Sequence, residues 1–171
     1  MAWPWARSPY RTTADLVEAL RVMFAEVLRD LPEGTATIRE TGHRPTLEGD
    51  ADWACTISPS RPGCSPVEVI VMGPHRVSIR MGAYSHLTVD VVPWRWKALL
   101  PRIRRVVAAV VDGGLFEVYW ERWGAPCNYR SYLRDERGRL QSLQGMESTV
   151  FGLTPLDLPR VQLSYEPYGP W

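Results

Sequence analysis

The sequence predicts an α+β fold: an antiparallel sheet with two main helices packed on one face, in the order helix, strands, helix, strands. Three observations lead there. Residues 12–31 carry apolar side chains at helical spacing, and residues 93–112 do so again. Between and after these runs lie short segments that alternate apolar and polar residues, the period of half-buried strands. With 171 residues and 45% hydrophobic content, the chain is expected to form one domain over 1–171, with an N-terminal arm at 1–11 and a Pro-rich C-terminal tail at 154–171.

In the first helical segment Leu16, Leu20, Met23, Phe24, Val27, Leu28 and Leu31 fall on one face, and Glu18, Arg21 and Arg29 on the other. Thr12 has the chemistry of an N-cap, Asp15 suits the first turn, and Pro32 with Gly34 stops the helix. Strands are expected at 35–41 and 52–58, separated by a polar loop with His43, Pro45 and Gly49. "VEVIVM" and "HRVSIRM" flank Gly73-Pro74 as a hairpin, and "SHLTVDV" at 85–91 reads as a further strand.

In the second helical run, Pro101 lacks a donor and clashes with the preceding turn. The expectation is a short turn at 94–99 and a main helix at 101–112 that starts on Pro101 and ends at Gly113-Gly114. "LFEVYWERW", "CNYRSYLRD", "RLQSLQG" and "STVFGL" then read as strands, with "DERG" (135–138) a hairpin turn and "RVQLSY" an edge strand. In the first of these, alternation puts Phe116, Val118 and Trp120 toward the core and Leu115, Glu117, Tyr119 and Glu121 on a half-exposed face. Leu20, Phe24, Ile79, Ile103, Val107 and Val118 are the expected shared core.

Composition narrows the function classes. A net charge of +1 supplies no global field toward nucleic acid or membrane, and no run approaches the roughly 18 apolar residues of a membrane helix. The N-terminal stretch does not read as a secretory signal, and three sparse cysteines do not make a disulfide framework, so a cytoplasmic location is expected. His43, His75 and His86 with Cys55, Cys64 and Cys127 match no zinc spacing, so neither metal nor cofactor is expected. Glu117 and Glu121 lie about 13 Å apart on a strand at ~3.3 Å per residue, wider than a glycosidase pair, and read as solvated carboxylates. No nucleophile elbow or phosphate loop is present, and no catalytic residue is assigned.

Two features remain. Residues 91–111 hold Arg95, Lys97, Arg102, Arg104 and Arg105 without an acid, interleaved with Trp94 and Trp96. Eight tryptophans exceed what a small sheet buries on one side, and Trp with Arg is the make-up of binding hot spots. The candidate partner-binding residues are therefore Trp123 and Glu121 at the end of one strand, and Trp94, Arg95 and Trp96 at the start of the basic run.

The succession of an amphipathic helix, strands, a second helix ending in "DGG", the strand "LFEVYWERWG" and arginine-bearing hairpins resembles the small α+β immunity proteins that bacteria keep beside polymorphic toxins. The resemblance implies a non-catalytic, cytoplasmic protein-binding module whose partner is a toxin domain. Many inhibitors of nucleases in that class are clearly acidic, and a charge of +1 departs from them. The alternatives are a nucleic-acid-associated protein using 94–105, and an enzyme or small-ligand binder with no local motif.

Overall fold

The first helix begins where its cap chemistry places it. The Asp15 amide donates to Thr12 Oγ1 at 3.2 Å, and the Thr12 amide donates to Asp15 Oδ2 at 3.0 Å. This reciprocal pair closes two donors that a helix start leaves open. Helix α1 then runs Thr13–Leu28 and buries Leu16, Leu20, Met23 and Phe24. The computed structural model describes residues 10, 12–46, 49–83, 85–90, 96–122, 125–134, 137–143 and 162–171.

Seven strands follow: β1 (Ala36–Thr41), β2 (Arg44–Thr46), β3 (Gly49–Ala51), β4 (Trp53–Pro59), β5 (Val67–Val71), β6 (Arg76–Met81) and β7 (Ser85–Asp90). Five of them form an antiparallel sheet in the order β1-β4-β5-β6-β7. β5 and β6 are joined at Gly73–His75 by a single 3₁₀ turn, with Gly73 at φ +69°. The segment expected to be a polar loop instead holds the paired strands β2 and β3. Arg-Pro-Thr has no apolar alternation to announce a strand. The Thr46 hydroxyl donates to the Gly49 carbonyl at 2.6 Å within the ribbon, and the Arg44–Glu68 pair ties the ribbon to β5 of the sheet.

Helix α2 is continuous over Trp96–Val111 with Pro101 inside it, so the expected break does not occur. Pro101 is its sixth residue, and the carbonyl four positions earlier belongs to Lys97, which is exposed. The lost donor therefore falls in an outer turn that water reaches. After Gly113 (φ +71°) come β8 (Leu115–Arg122), β9 (Ala125–Arg134), β10 (Leu140–Leu143) and β11 (Gln162–Pro167). They form a second sheet in the order β10-β9-β8-β11, again antiparallel. The α+β class and the alternation of helices and strands hold, but two main sheets replace the single one expected. The five strands of the first sheet all precede α2 and the four of the second all follow it, most of them paired with a sequence neighbour, while β1 pairs with β4 and β11 returns to β8. "RVQLSY" contributes to the edge strand β11, whereas "STVFGL" lies outside the described residues.

One buried cluster unites Leu20 and Phe24 of α1, Ile79 of β6, and Ile103 and Val107 of α2, each on the apolar phase of its element. Burying a Leu or Ile side chain of this kind contributes about 1.5–3 kcal/mol. Val118 is not in that core; it is half-buried. Phe116 is buried as expected at 7% exposure, but Leu115 and Glu117 have no exposed surface, so both faces of the strand are buried at its start and the expected half-exposed face is not. Among the tryptophans, Trp53 is buried in the main core and Trp171 packs against it half-buried, its indole N–H donating to the Ser65 carbonyl at 3.0 Å. Cys55 is a free thiol that burial, above all, pushes up to about 11. No helix among the described residues is long and apolar enough to cross a membrane.

Candidate functional site

Of the five residues singled out as a contact surface, Trp96 opens α2 and Glu121 lies in β8. Trp94, Arg95 and Trp123 lie outside the described residues. The basic run does reach a concave surface, but through its later members.

That surface is a groove of about 780 Å³ between α2 and the β9–β10 hairpin. Pro101, Arg105, Ala108 and Asp112 recur every three or four positions, with Arg104 beside them, and so form one stripe along the outer side of α2. Across from them stand Arg134 at the end of β9, Arg137 and Arg139 in the turn region, and Gln141 on β10. Among the described residues, five arginines thus line it together with one acid, Asp112.

Small residues set the floor. The Gly114 amide donates to the Ala109 carbonyl at 2.7 Å, and the Arg134 amide donates to the Gly114 carbonyl at 2.8 Å, which ties the end of α2 to β9. A Cβ on Gly114 would sit 2.9 Å from the Ala109 oxygen, closer than real side chains come, so glycine is what permits this approach. Backbone groups of the floor are already paired, and recognition falls to the walls.

Arg134 and Arg104 each have a defined neighbour. The Arg134 guanidinium lies 4.6 Å from the centre of the Phe116 ring, an attraction that orients its plane. Arg104 pairs with Glu26 of α1 at 3.0 Å. A second cavity of about 290 Å³ opens alongside, sharing Arg105, Arg134 and Gln141. One wall is the edge of the core at Leu87, Val106, Leu133 and Leu143, and the rest is polar, with Arg102 and Ser142 beside the shared residues, so the charged groove adjoins a recess of mixed character.

The second sheet is anchored by a group the sequence reading placed in water. Glu117 is fully buried, and four donors meet its carboxyl oxygens. The Ser85 amide (2.6 Å) and Ser85 hydroxyl reach Oε1, while the Ala83 amide (2.9 Å) and the Tyr168 hydroxyl (2.7 Å) reach Oε2. Ser131 on β9 lies 2.5 Å from Ser85 Oγ. Acceptor oxygens facing donors satisfy the burial. The carboxyl fastens β8 to the β6–β7 turn and to the C-terminal segment, and this fixes where β9 and its hairpin stand relative to α2. Gly82 leaves room for it, since a Cβ there would lie 2.6 Å from Glu117 Oε2.

The sequence marks Arg104 and Arg105 as part of a basic run beside Trp94 and Trp96. Arg134, Arg137 and Arg139 were missed. A signal existed: three arginines in six positions around a predicted hairpin turn, facing another basic run. Comparison of the chain with protein families, curated proteins and solved structures finds no match.

Proposed function

We propose that this chain is a non-catalytic protein-binding module, in its sharpest form an immunity protein that binds a cognate bacterial toxin and neutralises it. The observation that carries the reading is the groove, whose walls offer guanidinium donors from two elements above a floor of small residues. Guanidinium groups stay charged at any physiological pH, so they recognise anions but supply no nucleophile and accept no proton. Asp112, the one carboxylate among the described lining residues, is half of an acid–base pair at most. In this reading the chain is one domain working in the cytoplasm without metal or cofactor, its two main helices sharing one face of the five-stranded sheet. A cationic docking surface also suits a chain whose charge of +1 departs from acidic nuclease inhibitors.

The test is co-expression with the product of the adjacent reading frame, in a host that the neighbour alone arrests. The expected result is restored growth and co-purification of the two chains. Toxicity that persists in the presence of the folded chain, or a neighbour that is harmless, contradicts the reading.

A further inference from the structure

We infer that the groove between α2 and the β9–β10 hairpin docks a short acidic segment of a protein partner, one that also inserts an apolar side chain into the adjoining recess. The inference rests on the protein-binding reading above and names the chemistry of the contact. Arginine forks match carboxylates in two parallel hydrogen bonds, and here they converge from two elements on one channel. From Arg104 to Asp112 the helix rises about 12 Å at ~1.5 Å per residue, the length of some four residues of extended chain at ~3.3 Å each.

Nucleic acid would offer anions too, but three observations favour a peptide. The positive charge is bounded: Glu26 stands beside Arg104, and Asp112 joins the lining. A strand of continuous phosphates would carry a charge past both acids, whereas a peptide can set its carboxylates against Arg105, Arg134 and Arg139 and place neutral residues beside Glu26 and Asp112. Next, no aromatic ring is among the described lining residues of either cavity, so bases have no platform to stack on. Finally, the leucine and valine wall of the recess suits a hydrocarbon side chain, which a sugar–phosphate backbone lacks. An apolar wall flanked by arginines is the arrangement in which a single anchor residue dominates binding.

The experiment selects binders from a random displayed peptide library on the full chain and on its Arg105→Glu/Arg139→Glu variant. Melting curves establish that the variant is folded. The inference expects enriched peptides with two or more acids around one large apolar residue. It expects their affinity to fall at least tenfold on the double variant, and to be unchanged by Arg39→Glu/Arg61→Glu, a control pair exposed elsewhere on the surface. Should the double variant unfold, Arg105→Lys/Arg139→Lys replaces it, keeping the charge and losing the forks; a loss of affinity is again expected. No enrichment, non-acidic peptides, or equal binding to the groove variant overturns the inference. So does labelled duplex DNA that binds the chain more tightly than the peptides and is lost on the groove variant.

The same variant separates this inference from the reading beneath it. If the chain protects cells in the co-expression test and the groove variant protects equally, the immunity reading stands and the groove is not its contact. If the chain gives no protection yet acidic peptides bind through Arg105 and Arg139, the docking site stands and the toxin reading fails.

Discussion

Glu117 has no exposed surface and accepts from Ala83, Ser85 and Tyr168, residues 51 positions away or nearer. Replacing it with Gln turns one acceptor oxygen into an NH₂ that must face donors. Leaving such groups unsatisfied costs about 1–3 kcal/mol each, so Glu117→Gln should lower unfolding stability by at least that much in a urea titration. A loss under about 0.5 kcal/mol would mean that the four contacts carry little. Glu40 behaves differently. Hydrogen bonds from Arg21, then from the Trp53 indole, hold its carboxyl below the usual range, and its side chain is about a third exposed, at 35%. A lowered folded value adds stability above the ordinary carboxyl value of about 4.3, and that stability is lost as pH falls through the lowered one. The gap in melting temperature between the wild type and Glu40→Gln should therefore be present at neutral pH and close on acidification. A gap that stays constant down to pH 2 would contradict the assignment.

At the scale of elements, Gly113 ends α2 at φ +71°, and a Cβ on it would sit 2.5 Å from the Pro170 nitrogen. The C-terminal segment passes there, with the Trp171 amide donating to the Val111 carbonyl at 2.9 Å. Gly113→Ala combines a disfavoured backbone with a clash against that segment. It should destabilise the fold by more than the ~1 kcal/mol of the backbone effect alone, and should speed amide exchange at Trp171. Unchanged exchange at Trp171 would show that the segment is held elsewhere. Helix α1 was legible because everything that makes it is local: the Thr12 cap, Asp15, and an apolar stripe. The faces of β8 were not legible. Alternation says that two sets of residues oppose each other, but whether both are dry depends on donors from the 82–85 turn and from Tyr168, which no local pattern reports. The groove was half legible for the same reason. Arg104 and Arg105 stand in a visible basic run, while what they face is decided by how β9 packs against the end of α2.

Over the whole molecule, a charge of +1 conceals an uneven distribution, with five arginines gathered on one groove and acids at its border. Such a site recognises at short range rather than by a long-range field. The molecule is arranged to hold that surface still. The buried Glu117 carboxyl joins the two main sheets, and Gly114 lets helix and strand approach at the floor. The central claim is that this groove is where a partner docks, and amide hydrogen exchange tests it most directly. The chain would be measured alone and saturated with a peptide selected on it. Slowed exchange should concentrate at 137–143 and at the groove side of α2 and its end, 104–114, with β1 unchanged. Slowing confined to β1 or α1, with the hairpin exchanging as before, would place the docking surface elsewhere and contradict the account.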